Sequence, residues 1–349
     1  MDVVSYKCPK CSASLLYDID KQDWYCDYCK SEFTRDELEK IENEKSHKVF
    51  DEVSTEGKYE EGAIAYMCPS CGAKIVTDKN TAATFCIYCH NATVIASRLE
   101  DEHRPASIIP FKLKKEKAID AIKSLCKSRP LLPKDFTDYA KRGEISGLYV
   151  PFWLFDVDVD ATLNARADRI TTWSDSRYYY TKTDTYNVER GGSATFSKVP
   201  CDGSVRMDDK LMESLEPFDY TSLMDFSLEY LSGHYAESYD VDANIAYKNV
   251  SARVNSSADS MLRSTVAGYS YVNVTNENIR ATKVVSKNVM LPVWTLMAVY
   301  KGKNYIFAMN GQTGKITGKL PVSKTKLVLW FCSIFVIVFL LCFVGVMLV

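Results

Sequence analysis

Length, composition and charge set the first limits on this chain. At 349 residues it is too long for one compact core, so we expect two or three units. Its hydrophobic and charged fractions, 46% and 25%, are ordinary for a globular protein. The formal net charge of −2 argues against a nucleic-acid binder, which usually presents a basic face. Residues 1–104 are more acidic still, with 13 lysines and arginines against 20 aspartates and glutamates.

The first feature along the chain is a duplicated pattern of cysteine pairs. Eight of the 12 cysteines form two quartets in which 14 residues separate one Cys-x-x-Cys pair from the next: Cys8, Cys11, Cys26, Cys29 and Cys68, Cys71, Cys86, Cys89. A shift of 60 positions superimposes the two copies, so they are an internal repeat. Metal binding needs thiolates, which predicts a reducing compartment, and residues 1–10 contain no apolar run that would predict a signal peptide.

The spacing within each quartet predicts a zinc ribbon. Two Cys-x-x-Cys turns on facing hairpins place four sulfurs around one Zn²⁺, and the intervening residues suffice for two short strands and a turn. We expect Leu15–Leu16 to lie opposite Trp24–Tyr25 in the first copy, and residues 75–76 to lie opposite residues 84–85 in the second. All-cysteine ligation leaves no open coordination position, so both ions are predicted to be structural. A rubredoxin-like iron centre is the alternative, which the short spacer disfavours.

The middle of the chain predicts a mixed domain of helices and antiparallel strands. Residues 35–63 read as a short charged helix capped by Thr34 and Glu37, followed by a linker. Between residues 105 and 320 the apolar periodicity predicts helices at 114–127 and about 242–266. It also predicts a long strand over 147–160, further strands over 161–200 with a turn at Gly191–Gly192, and a hairpin over 291–320.

The last 23 residues, Leu327–Val349, contain no charged side chain. A helix of that length is about 34 Å long, enough for the roughly 30 Å hydrocarbon core of a bilayer. Three lysines precede it, so the positive-inside rule predicts a single-pass anchor with the N-terminal domains in the cytoplasm.

No catalytic constellation stands out in this sequence. The alternating carboxylates Asp156, Asp158 and Asp160 should share one face of a strand, where a solvated sheet surface is the simpler interpretation and a cation or catalytic site the other. Tyr178–Tyr180 could stack on bases, but few basic residues lie nearby in the sequence, which favours strand packing.

Several segments together resemble a bacterial family, the TFIIB-type zinc ribbon-containing proteins. The segments that carry this resemblance are Tyr66–Cys71, Asp78–Cys89, Tyr149–Asp156, Met207–Asp209, Glu216–Tyr220 and Phe307–Gly314. The resemblance covers nearly the whole chain and implies zinc binding and a membrane tail, but no settled biochemical role. Some relatives are labelled as primosomal helicases, a label for which this sequence has no motor motif. Ser12, Lys30 and His90 stand where glycines are common in such turns.

The sequence as a whole predicts an α+β architecture in five parts. These are zinc ribbon 1 (1–34), a charged helix and linker (35–63), zinc ribbon 2 (64–97), an α+β middle domain (105–320) and a transmembrane helix (327–349). The predicted function is a membrane-tethered adaptor or scaffold that binds a protein partner and is not an enzyme. Nucleic-acid binding by the ribbons, which the charge disfavours, and an enzyme site in the middle domain are the alternatives.

Overall fold

The computed structural model describes most of the chain beyond residue 104 and selected segments before it. The described residues are 3–4, 7–11, 13, 15–38, 63–67, 74–78, 81–85, 92–95, 104–133, 135–136, 145–205, 207 and 209–347. Within them lie sixteen strands, which we number in chain order: β1 (Val3–Val4), β2 (Leu15–Asp18), β3 (Asp23–Cys26), β4 (Glu32–Phe33), β5 (Ala63–Met67), β6 (Lys74–Asp78), β7 (Thr81–Phe85), β8 (Ala92–Ile95), β9 (Ser107–Ile108), β10 (Ile145–Ser174), β11 (Tyr179–Asp202), β12 (Met224–Asp225), β13 (Tyr235–Glu237), β14 (Tyr271–Tyr300), β15 (Lys303–Asn310) and β16 (Ile316–Gly318). The α-helices are α1 (Lys115–Lys127), α2 (Asp209–Glu213), α3 (Ala243–Ser264) and α4 (Lys324–Met347).

Three very long antiparallel strands form the centre of the fold. β10 pairs with β11 on one side and with β14 on the other, and β14 continues into a hairpin with β15. Strands β1, β8, β7 and β13 extend the same sheet, so segments from both ends of the sequence meet in one 11-stranded sheet. A second, three-stranded sheet contains β2, β3 and β4.

The two faces of β10 are covered differently along its length. Side chains of Phe155, Val157 and Val159 pack against α3, whose buried residues recur at helical spacing. Near the start of β10, Val150, Phe152 and Leu154 pack on the opposite face against α2 and the segment after it. Beyond residue 155 that opposite face carries the polar side chains at even positions.

The predicted helices 114–127 and 242–266 are confirmed as α1 and α3, and the predicted hairpin over 291–320 is confirmed as β14 and β15. The predicted turn at Gly191–Gly192 is wrong. Both glycines lie inside β11 in continuous register with β10, and the reversal occurs at Asp175–Tyr178 instead. There Asp175 accepts hydrogen bonds from the backbone N–H groups of Arg177 and Tyr178, so a capped Asx turn closes the hairpin.

The pairing predicted for the second ribbon is also wrong. Residues 75–76 belong to β6, which pairs with β5, whereas residues 84–85 belong to β7, which pairs with β8 and β13. Each strand thus finds a partner that the cysteine spacing alone does not reveal. Of the predicted helix and linker at 35–63, residues 35–38 are helical and Glu37 accepts a hydrogen bond from the Thr34 N–H, as a capping box requires.

The C-terminal segment is helical, but its predicted role as a membrane anchor is wrong. Among the residues that the structure describes, no helix has both the length and the apolar character needed to cross a bilayer. This finding overturns the transmembrane helix in the predicted fold class, the predicted single-pass membrane localisation and the membrane as a partner through residues 327–349.

Candidate metal centre

Four cysteines converge at one end of the β2–β3 hairpin. Cys8 and Cys11 lie in the turn before β2, while Cys26 ends β3 and Cys29 lies in the turn after it. The predicted pairing of these two strands is confirmed for Leu16 and Tyr25, whereas Leu15 lies opposite Cys26 rather than Tyr25, and this register brings the two turns together. Backbone hydrogen bonds hold each turn closed, from the Cys8 N–H to the Ala13 carbonyl and from the Lys30 N–H to the Cys26 carbonyl.

The four sulfur atoms form a compact group that fits a metal ion. The Sγ atoms of Cys8 and Cys29 are 3.5 Å apart, those of Cys11 and Cys26 are 3.4 Å apart, and all four lie within 4.8 Å of one another. A tetrahedral site with metal–sulfur bonds of about 2.3 Å has sulfur–sulfur edges of about 3.8 Å. All four are free thiols rather than disulfides. This quartet can therefore hold one metal ion.

Hydrogen bonds and burial separate the pKa values of two of these thiols. The Ser31 side chain and its backbone N–H lower the pKa of Cys29 to about 6. The backbone N–H of Ala13 lowers the pKa of Cys11, but burial and the neighbouring thiols outweigh it and raise that pKa to about 12. Without a cation, four adjacent thiols resist joint ionisation, whereas a bound metal stabilises the thiolate form of each.

The cysteine-bearing hairpin β2–β3 is anchored to the rest of the protein by aromatic packing. Trp24 is almost completely buried, and its indole Nε1 donates a hydrogen bond of 3.0 Å to the backbone carbonyl of Glu229. The rings of Tyr17, Trp24 and Tyr230 lie 5.1–5.3 Å from one another. The Ser232 hydroxyl adds a 2.6 Å hydrogen bond to the Leu15 carbonyl. These contacts fix the position of the four cysteines relative to the long sheet.

The second cysteine quartet, Cys68, Cys71, Cys86 and Cys89, lies outside the described residues. The strands beside it nevertheless preserve part of the repeat. In the first copy Trp24 pairs with Phe33 and Tyr25 with Glu32; in the second copy Thr84 pairs with Thr93 and Phe85 with Ala92. Each pair is displaced from its counterpart by the same 60 positions, so β3–β4 and β7–β8 are equivalent hairpins.

The three aspartates at 156, 158 and 160 lie on one face of β10, where each accepts a hydrogen bond from the facing strand β11. The donors are the Lys198 N–H for Asp156, the Thr195 hydroxyl for Asp158 and the Ser193 hydroxyl for Asp160. On the other side, Lys283 pairs with Asp158 and Arg280 with Asp160 in the strand register. This arrangement is that of a charge-balanced, solvated sheet face.

A polar cluster that sequence reasoning did not connect lies under the segment Leu215–Tyr220. Asn310 is completely buried, and its Nδ2 donates to the carbonyls of Leu215 and Pro217. Gln312 and Asp219 exchange two hydrogen bonds, of 2.7 and 3.0 Å. Two of the segments that carry the family resemblance, 216–220 and 307–314, thus pack against each other. Because about ninety residues separate them in the chain, the sequence alone does not predict this contact.

The protein is therefore a β-rich α+β protein that carries, on a short hairpin packed against the sheet, four cysteines that could hold one metal ion. A comparison with known proteins narrows this description. The chain is 34% identical to the uncharacterized protein YdjG of Bacillus subtilis (strain 168) over 332 residues, which cover 95% of this chain and 94% of that protein. The chain belongs to the same family as that protein. No family model matches the chain, and no solved structure matches it.

Proposed function

We propose that this protein is a zinc-ribbon adaptor, in which the metal holds the β2–β3 hairpin in shape and the protein surface binds another protein. The observation that carries the proposal is the convergence of four cysteine sulfurs within 4.8 Å of one another. Four sulfurs bound to one ion would complete a tetrahedral coordination sphere and leave no position at which a substrate or water could be activated. When bound, the ion supplies structural cross-linking, and no reaction step is assigned to it.

Zinc is the metal that this donor set favours. Tetrahedral four-sulfur sites select zinc or iron, and the short hairpin between the cysteine pairs matches a structural zinc ribbon. Structural zinc contributes roughly 10–16 kcal/mol of apparent binding energy in small zinc-finger peptides, enough to hold a hairpin whose own core is small. By its repeat, the second quartet is proposed to hold a second zinc ion.

The surface best suited to a protein partner is the tip of the β10–β11 hairpin. Trp173 stacks on Tyr180 with ring centroids 5.5 Å apart, and Tyr178 and Tyr179 extend beside them into solvent. Tyr179 is 93% exposed. Trp, Tyr and Arg dominate the energetic centres of protein interfaces, and rigid aromatic side chains lose little conformational entropy on binding. Arg177 lies in the turn of the same hairpin, so the tip carries all three of these residue types.

A crosslinked pull-down with the full-length chain tests the proposal. The paired substitution Trp173→Ala and Tyr179→Ala should abolish recovery of one reproducible protein partner. The matched control, Tyr28→Ala, removes an aromatic side chain that is 82% exposed on the metal-binding hairpin and should leave recovery unchanged. Enrichment of DNA or RNA instead of a protein, or a defined enzymatic activity in the purified chain, would contradict the adaptor function.

Zinc content provides the second arm of this test. Cys26→Ser should lower zinc by one ion per chain, whereas Cys126→Ser, at a buried cysteine in α1 away from the quartet, should not change it. An unchanged zinc content in Cys26→Ser would rule out the assignment of zinc to this quartet.

A further inference from the structure

The long strand β11 has one edge that no other strand occupies within the described part of the chain. β11 pairs with β10 on its inner side, and no further pairing is formed on its outer side. Nearly every side chain between Tyr179 and Thr195 is exposed or half-buried, Val188 being the buried one. An open edge of this length is a template for pairing with another strand unless the protein protects it.

Hydrogen bonds at the neighbouring strand show which backbone groups of β11 face outward. The Ile170 N–H donates to Ser270, and the Ser270 N–H donates to the Asp168 carbonyl, so even-numbered residues of β10 direct their backbone groups toward β14. Odd-numbered residues of β10 therefore bond β11, and their partners in β11 are even-numbered. The N–H and C=O groups of odd-numbered β11 residues, Asn187 among them, point away from the sheet.

The sequence of β11 is complementary to itself when a second copy runs antiparallel about Asn187. In that register Asp184 lies opposite Arg190 of the second copy, twice by symmetry. Lys182 lies opposite Gly192 and Thr185 opposite Glu189, and no like charges face each other. Opposite charges directly across a strand pair stabilise it, and like charges destabilise it. Asp184 and Lys182 already form a 2.9 Å ion pair within one chain, so Asp184 points along the face that Arg190 would share.

The two glycines inside β11 supply an independent observation. A glycine weakens a strand interior and often marks a place where another backbone approaches closely. A Cβ added at Gly192 would meet no atom within 4 Å, so contacts within one chain do not explain why a glycine occupies this position. In the antiparallel register, the space at Gly191 and Gly192 receives Thr183 and Lys182 of the second copy.

We propose that β11 pairs edge to edge with β11 of a second copy of this chain, antiparallel about Asn187, to form a symmetric dimer with a continuous sheet. Such an isologous contact uses the same residues on both copies and closes without further growth. It extends the three long strands to six and removes the open edge at the centre of β11. The dimer is independent of the adaptor proposal and of the metal.

Backbone chemistry at the two-fold axis provides the sharpest test. Asn187→Pro removes an outward N–H without breaking the ladder to β10, whereas the matched Asn187→Ala keeps that N–H. Sedimentation of the full-length chain should show a dimer for the wild type and for Asn187→Ala, and at least a 10-fold weaker association for Asn187→Pro. Circular dichroism on both variants checks that the fold is retained.

Four additional variants identify the surface and the register. Asn187→Cys should crosslink to its own copy under mild oxidation, because directly opposed residues lie about 5.5 Å apart, within disulfide range. Thr181→Cys, which lies opposite Ser193 of the second copy, should not. Asp184→Arg should weaken association about 10-fold, and the double variant Asp184→Arg with Arg190→Asp should restore it.

A monomeric wild type, a dimer that survives Asn187→Pro, or absence of the crosslink at position 187 would overturn the proposal.

Discussion

Individual residues connect the metal-binding hairpin to the rest of the protein, and Trp24 carries much of this connection. Trp24→Phe keeps an aromatic ring between Tyr17 and Tyr230 but removes the donor to the Glu229 carbonyl. The Glu229 carbonyl still accepts the Ser232 N–H, so the lost hydrogen bond costs about 0.5–1.5 kcal/mol, to which the smaller ring adds a packing loss of about 1–2 kcal/mol. We expect the free energy of unfolding to fall by about 2–3 kcal/mol in denaturant titrations, with zinc content unchanged.

The control for this substitution is Tyr28→Phe, on the same hairpin but exposed to solvent. Surface changes of this kind are usually within about 0.5 kcal/mol of the wild type. Equal stability of Trp24→Phe and the wild type would show that the hairpin is not anchored through the indole.

His234 makes the stability depend on pH. It is completely enclosed by aromatic rings, with Phe111 stacked at 4.4 Å and Tyr149 and Trp294 at its edges. Burial lowers the pKa of His234 to about 4, below the 6.5 of an exposed histidine. The unfolded chain therefore binds the proton more readily. Protonation of this histidine therefore favours the unfolded chain. The stability that neutral His234 contributes to the free energy of unfolding is fully present above pH 6.5, and up to about 3 kcal/mol of it is lost as the pH falls toward 4.

His234→Phe isolates this effect from acid release of the metal and from carboxylate protonation, which act on both proteins. Measured between pH 7 and pH 4, the variant should lose less unfolding free energy than the wild type. Parallel pH profiles would contradict the assignment of a buried neutral imidazole.

At the scale of elements, the turn after β15 secures the segment that covers one face of β10. Asn310 accepts the backbone N–H groups of Gln312 and Thr313 at 2.9 Å and donates to the Leu215 carbonyl. Asn310→Ala leaves several buried groups without partners, so we expect the free energy of unfolding to fall by about 2–4 kcal/mol. Asn278→Ala, at an exposed position of β14, is the matched control, and a loss below about 0.5 kcal/mol at Asn310 would contradict this role.

The sequence predicted the elements whose signal is local. Helix α3 was predicted because Val250, Val254 and Leu262 recur at helical spacing. The first cysteine quartet was predicted because its four cysteines lie in two short turns of one hairpin. The run from Ile145 to Ser174 was predicted only in part. Between Ala161 and Ala167 burial still alternates, but mostly in small alanines that pack near the end of α3, and beyond Asp168 both faces of the strand reach solvent.

Long-range pairing was beyond the reach of local patterns. Nothing near residue 84 indicates that β7 pairs with β13, about 150 residues later in the chain. Because β7 pairs with β13 and β8, it does not form the hairpin that the cysteine spacing predicted. Gly191–Gly192 has the composition of a turn, but β10 supplies partners on either side and keeps the glycines in a strand. The charge-free tail predicted a membrane span from composition alone, and that prediction is wrong, because none of the helices in the described part of the chain is long and apolar enough to cross a membrane.

At the scale of the whole molecule, the segment 229–237 joins the two cysteine-bearing regions to the long sheet. Its first part holds the first hairpin through the Glu229 and Ser232 contacts, and its last part, β13, pairs with β10 on one side and β7 on the other. The cysteine-bearing hairpin β2–β3 therefore lies at one end of the sheet, while the aromatic tip of β10 and β11 lies at the other. This separation suits an adaptor whose structural and contact surfaces are distinct.

The central claim, a closed zinc site of four thiolates, is tested most directly by zinc K-edge X-ray absorption on the full-length chain. We predict four sulfur neighbours at about 2.3 Å and no nitrogen or oxygen neighbour. A nitrogen or oxygen atom in the coordination sphere would mean an open or mixed site and would contradict the structural role, and a chain purified without stoichiometric zinc would contradict the assignment of the metal itself.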